Sequence, residues 1–274
     1  MRMRFNRGQG IAPLLLSILV LAAGGRYDAT HAQARQKPTA PAAGTQSSAE
    51  TPSDAVRRFY KALAEKRFRE ALAMSVYAPA IEGLSDRDLE ELRPDFESLA
   101  VGAEKVEVKG EQVSGDSATV FVKLNDDAAV APALPVQMRR VKGSWVVYDE
   151  DVEKAVKKEG NKFFFNARIK AHEDDVLNQW LVRVAQSELV YSAQHNGTFA
   201  DLQTLINEKL LSEDILKPQT TGYNFHVTLS ADKKSYTAGA EPVVYNRSGK
   251  LSFFMDQTGI KSADTGGKPY APKK

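Results

Sequence analysis

The amino-acid sequence predicts an α+β protein built from two modules. Twice along the chain a helical spacing of apolar residues gives way to the alternation that marks strands, and a charged, Lys-rich segment separates the two blocks. The 274 residues include no cysteine, so both modules must be held by ordinary hydrophobic cores without disulfides.

The start of the chain reads as a secretory signal. Arg2, Arg4 and Arg7 precede an apolar run over residues 11–23, and Ala32-Gln33-Ala34 supplies a small-x-small cleavage site. The run falls well short of the ~20 residues that a membrane-spanning helix needs, which argues against an uncleaved anchor. A lipid anchor would require a cysteine. Cleavage would leave a periplasmic or secreted chain beginning at Arg35, with no later apolar run long enough to insert stably in a membrane. Residues 1–34 carry four arginines and one aspartate, so the net charge of +2 for the whole chain becomes about −1 after cleavage. A basic face for nucleic acid is therefore not expected.

Residues 35–52 are rich in Ala, Pro, Thr, Ser and Gln and read as a disordered spacer. Order is predicted from Ser53, with Ser53 or Asp54 as helix cap and Val56, Phe59, Tyr60 and Leu63 on one face. Phe68, Ala71 and Leu72 continue in a second helix that Pro79 closes. Ser85 caps a third, with Leu89, Leu92, Phe96 and Leu99 inward and Pro94 restarting it. The spacing then switches to two. Val106 and Val108, Ala118 to Leu124, Leu134 to Met138 and Trp145 to Tyr148 form about four strands, with turns at Ser114-Gly115-Asp116 and Lys142-Gly143-Ser144.

Three stretches of this module resemble the small exported branch of the nuclear transport factor 2-like superfamily. They are Ala55-Val56-Arg57-Arg58-Phe59-Tyr60-Lys61-Ala62-Leu63, Gly115-Asp116-Ser117-Ala118-Thr119-Val120 and Lys142-Gly143-Ser144-Trp145-Val146-Val147. The resemblance implies a cone of three helices and a curved antiparallel sheet over residues 53–150. Such cones can enclose a pocket, which makes Phe59 and Tyr60 the candidate cavity-lining residues, although core packing is their ordinary role.

Residues 151–170 read as a charged linker or helical segment. A long helix is predicted over residues 171–195, with acidic residues in its first turn. Leu177, Leu181, Ala185 and Leu189 form one row, Val176, Trp180 and Val184 the next, and Asn196-Gly197 ends it. A short helix near residues 201–210 follows, then strands at Tyr223–Leu229, residues 235–240 and 251–255. Glu188-Leu189-Val190-Tyr191, Asn196-Gly197-Thr198-Phe199-Ala200-Asp201-Leu202, Thr221-Gly222-Tyr223-Asn224-Phe225 and Phe253-Phe254-Met255-Asp256-Gln257-Thr258-Gly259-Ile260 resemble the heads of type IV pilin-like proteins and type II secretion pseudopilins. The resemblance implies a long helix on a small antiparallel sheet over residues 171–265, followed by a flexible tail, 266–274. It lacks the apolar, filament-building helix of pilins, because Lys170-Ala171-His172-Glu173-Asp174-Asp175 stands there. Tyr223, Tyr236 and Tyr245 are the candidate contact residues of its sheet.

Nothing in the sequence forms a catalytic constellation. His172, His195 and His226 stand apart from one another, so surface or capping roles outweigh metal binding. Asp126-Asp127 and Asp149-Glu150-Asp151 fall in loop signals. Some pseudopilins bind calcium near the C-terminus, and Asp256 and Asp264 bracket a matching turn without a recognisable ligand set. The reading is therefore a non-enzymatic exported protein that binds other envelope proteins and uses no cofactor. The alternatives are a small-ligand carrier or enzyme using the cone cavity, and a structural spacer of the envelope.

Overall fold

A computed structural model describes residues 50–124 and 133–271. The signal segment, most of the 35–52 spacer and the Asp126-Asp127 pair lie outside the described residues. The protein is α+β, with two four-stranded antiparallel sheets, and divides between Asn161 and Lys162 into two compact units.

In the N-terminal unit the first helix is α1, Pro52–Ala64. Its cap is Thr51, two or three positions before the residues the sequence suggests. The Thr51 hydroxyl accepts from the Asp54 backbone N–H at 3.1 Å, and Pro52 fits the first turn, where no N–H is needed. Helices α2, Phe68–Ala73, and α3, Ala78–Glu82, follow. Pro79 opens α3 instead of closing the region, for the same reason. Ser85 caps α4, Asp86–Glu91, and Pro94 sits in the first turn of α5, Arg93–Leu99.

Strands β1, Val106–Ser114, β2, Ser117–Leu124, β3, Leu134–Val141, and β4, Ser144–Val147, form a meander in sequence order. The β3–β4 hairpin is a two-residue loop with Lys142 and Gly143 both at positive φ, the primed turn that matches strand twist. Val120, Val122, Val136, Met138, Trp145 and Val147 fill the buried face of the sheet. Phe59, Leu63, Leu72, Ile81, Leu92 and Phe96 are likewise buried in the helices. Glu111 of β1 accepts the Ser53 N–H at 2.7 Å and so ties the first turn of α1 to the sheet edge. Asp149 then caps α6, Glu150–Glu159, whose Val152 and Val156 are buried.

The C-terminal unit begins with a helix longer than the sequence suggests. It runs as α7, Phe163–Asp175, through a π-helical turn, Val176–Trp180, into α8, Leu181–Gln194. Phe163, Phe164 and Phe165 are buried, so these residues are not linker. The π turn also corrects the predicted faces. The buried row is Val176, Leu181, Val184 and Glu188, with a step of five across the turn. Leu177 and Leu189, expected inside, are 42% and 72% exposed. An extra residue in one turn rotates everything beyond it by about 100° relative to an unbroken helix.

Asn196 and Gly197, both left-handed, end α8. Helix α9, Leu202–Asn207, is capped by Asp201, and α10, Pro218–Thr221, leads into the second sheet. Its strands are β5, Tyr223–Leu229, β6, Tyr236–Pro242, β7, Leu251–Asp256, and β8, Gly259–Asp264, again in sequence order. The sequence reading missed β8, because Ile260 and Ala263 in it lie three apart, on opposite faces, and so show no alternation. Val176, Leu181, Leu205, Ile215, Tyr223, Phe253 and Met255 belong to one core between helices and sheet. The tail is not free at its start: the Gly266 N–H donates to Asp264 and the Thr265 hydroxyl to Ser252.

Candidate functional site

The sequence-predicted cavity residues occupy one face of α1. Phe59 is fully buried, and Tyr60 meets its ring edge-on at 5.3 Å. Burial pushes the Tyr60 hydroxyl up to about 12. Among the described residues it has no hydrogen-bond partner.

A recess of about 240 Å³ opens on the other face of the same sheet. Alternation places Ser117 beside Arg139 and Thr119 beside Gln137 across β2 and β3. The Arg139 guanidinium lies 3.8 Å from the centroid of the Tyr148 ring. Asp149 and Glu150 complete the rim. Burial and the Glu153 carboxylate hold the Tyr148 hydroxyl above its ordinary range. The sequence signal for this group is the two-residue spacing of Gln137 and Arg139 followed by Tyr148 just past the next strand, which sequence reasoning did not single out.

In the C-terminal unit the three candidate tyrosines separate. Tyr223 is 0% exposed, with its hydroxyl donated to the Leu251 carbonyl at 2.9 Å, so it is a core residue and cannot meet a partner. Its ring rests on Gly249, where any Cβ would overlap it. Tyr236 is half-buried against Phe199, ring centroids 5.0 Å apart. Tyr245 stands in the β6–β7 connection, donating to Asp264 at 2.9 Å.

That connection, residues 243–250, is held from the helix by two residues read as mere polarity in the sequence. The His172 imidazole contacts the Ser248 carbonyl at 2.8 Å and lies over Gly222, whose φ of +70° and lack of a Cβ admit it. Glu173 accepts both the Lys250 and the Leu251 backbone N–H, each at 2.9 Å. The loop thus fixed carries Val243 and Val244 at 42% and 52% exposure.

Comparison with family models, with curated proteins and with solved structures found no match.

The remaining polar groups do not converge. His195 stacks on Tyr191 at the end of α8, and His226 of β5 approaches Glu241 of β6 at 3.3 Å. Asp256 and Asp264 pair with Gly259 and Leu251, at opposite ends of the β7–β8 hairpin, roughly 17 Å apart at strand rise. Asp256 is occupied by Thr258, and Asp264 by Tyr245 and Gly266, so they do not form one calcium site. No cluster of three or more His, Asp or Glu suited to a metal occurs among the described residues. Among the described residues one unit presents a recess lined by Ser117, Gln137 and Arg139, and the other a held loop with Val243 and Val244 exposed.

Proposed function

We propose that the protein is exported after cleavage behind Ala34 and acts by binding, docking on another envelope protein through its C-terminal unit. On this reading the N-terminal unit is a nuclear transport factor 2-like module, a view supported by helices that precede a β1-β2-β3-β4 meander. The C-terminal unit is a pilin-like head, supported by a long helix packed on a four-stranded antiparallel sheet.

The observation that carries the reading is the pair Val243 and Val244, exposed on a loop whose backbone His172 and Glu173 hold in place. A loop ordered before binding loses little conformational freedom on docking, so its apolar contacts convert into affinity efficiently. Tyr245 beside them supplies a large amphipathic surface of the kind enriched at interfaces.

The test is capture from envelope extract with the chain beginning at Arg35, in parallel with a Val243→Asp/Val244→Asp variant. A specific partner retained by the native chain and lost from the variant is the expected result. Equal capture by both would remove the loop from the interface. Intact mass of the exported protein checks the cleavage site: a chain that still carries Met1 would contradict it.

A further inference from the structure

We infer that the recess bounded by Ser117, Gln137, Arg139 and Tyr148 binds a carboxylate, that of a small organic acid or of a peptide chain end. The inference rests on the N-terminal unit and does not depend on the docking loop.

Donors and acceptors around the recess are unequally engaged. Each carboxylate at the rim already has a partner. Asp149 accepts the Val152 N–H at 2.9 Å, Glu150 pairs with Lys154 at 2.8 Å, and Glu153 pairs with Lys157 at 3.0 Å while taking the Tyr148 hydroxyl at 3.3 Å. The donors, by contrast, are in surplus. Arg139 makes no ion pair or hydrogen bond among the described residues. Its guanidinium lies over the Tyr148 ring, so stacking occupies it while its N–H groups meet no acceptor among the described residues. The Gln137 carbonyl oxygen accepts from Thr119 at 3.1 Å, which turns its NH2 group away from Thr119. The Ser117 hydroxyl, across the strand pair from Arg139, has no partner among the described residues either. A planar, singly charged group with two acceptor oxygens matches a guanidinium edge in bidentate fashion.

Charge and size narrow the class. Arg139, whose charge already acts on Glu150, suits a monoanion, and a phosphate dianion would meet more repulsion from the neighbouring carboxylates than a single arginine offsets. At about 240 Å³ the recess lies below the roughly 300–1,000 Å³ of drug-sized and cofactor sites. A nucleotide therefore does not fit, while a short acid or the last residue of a peptide does. An arginine held by stacking keeps its orientation before the ligand arrives, which lowers the ordering cost.

The experiment titrates the chain beginning at Arg35 with acetate, acetamide and an acetyl-dialanine peptide, followed by amide and side-chain NMR shifts. Acetate and the peptide acid should shift Gln137 and Arg139 side-chain resonances saturably at low salt, and acetamide should not. Arg139→Met should weaken binding by about 10-fold and Arg139→Lys less, because the charge remains while the fork is lost. Glu150→Gln, which removes a rim charge and frees Lys154, should tighten it a few-fold. Arg139 is exposed, so these variants are expected to keep the native amide spectrum, which the same measurement checks. A stronger response to the peptide acid assigns the site to chain ends, and an equal response to acetate assigns it to small acids. Absence of a saturable shift up to about 50 mM, an equal response to acetamide, or an undiminished response in a folded Arg139→Met chain would each overturn the inference.

Discussion

The Glu188 carboxylate accepts the Ala200 backbone N–H at 3.0 Å with one oxygen, and its other oxygen, fully buried, meets no donor among the described residues. The side chain comes from the buried row of α8 and is 0% exposed. Removal from water, partly offset by the Ala200 hydrogen bond and reinforced by Asp201, pushes its pKa up to about 7. Tyr236, whose own hydroxyl is held above its ordinary range by burial and by Glu188, packs nearby.

The sign of the pH effect follows. An acid whose folded pKa lies above its unfolded value of about 4.5 is accommodated best when protonated. Its contribution is fully present below pH 4.5 and is lost as pH rises towards 7, by about 3 kcal/mol in total. Urea unfolding of the native chain should therefore show stability falling between pH 5 and pH 8. Glu188→Gln keeps an acceptor for Ala200 and removes the charge, so it should flatten that fall and gain about 2 kcal/mol at pH 8. An unchanged pH slope in the variant would refute the assignment.

The register set by the π turn gives a second prediction. Leu181 is fully buried and Leu177 is 42% exposed, although an unbroken helix would put these two residues, four apart, on the same face. Leu181→Ala should cost about 2–5 kcal/mol by emptying a core position, whereas Leu177→Ala should cost less than about 1 kcal/mol. Equal costs would mean that the helix keeps one register throughout.

These residues also show where sequence reasoning stops. Alternation located seven of the eight strands, and glycines at Gly115, Gly143 and Gly197 marked turns that adopt positive φ. Local rules suffice there, because the signal lies within a few neighbouring residues. A π turn leaves no such signal: Val176–Trp180 is as apolar as an ordinary helical turn. Nothing local marks Glu188 as buried, because its partner Ala200 is brought back by the chain reversal at Asn196-Gly197. His172 and Glu173 read as plain polarity for the same reason, since their partners Ser248, Lys250 and Leu251 lie more than 70 residues away. Tyr223 alternated correctly with its neighbours, but alternation does not say which side of a sheet is covered. The recess needed four residues from two hairpins and the start of α6, a convergence that spacing alone does not announce.

The Glu173 contacts predict a local effect on the β6–β7 connection. Glu173→Ala leaves two backbone N–H groups without their acceptor, costing about 1–3 kcal/mol, and Glu173→Gln should cost less because an acceptor oxygen remains. Hydrogen exchange at Lys250 and Leu251 should accelerate in Glu173→Ala while the amides of β1–β4 keep their protection. Loss of protection throughout the chain, or none at those two amides, would show that the carboxylate does not hold the loop.

The last prediction concerns assembly. A pilin filament is held by apolar helices buried side by side, and that burial supplies most of the association free energy. On the proposed pilin-like reading the corresponding stretch here carries Lys170, His172, Glu173, Asp174 and Asp175. The structure gives several of them intramolecular partners: His172 and Glu173 hold the β6–β7 connection, and Lys170 pairs with Asp174 at 2.8 Å. Packing this face against a second copy would either strip those partners away or bury their charges, at a cost of several kcal/mol per unpaired ion. Val182, Leu189 and Val190 do leave an exposed apolar strip on α8. Without an apolar helical half preceding it, that strip offers a limited contact and no continuous seam. The chain beginning at Arg35 should thus sediment as a monomer or small oligomer across a wide concentration range, with no fibres in electron micrographs. Neutralising the acidic stretch with Glu173→Gln, Asp174→Asn and Asp175→Asn should not create fibres either, because the apolar seam is still missing. Filaments from the native chain would show that the polar helix start does not prevent pilin-type packing.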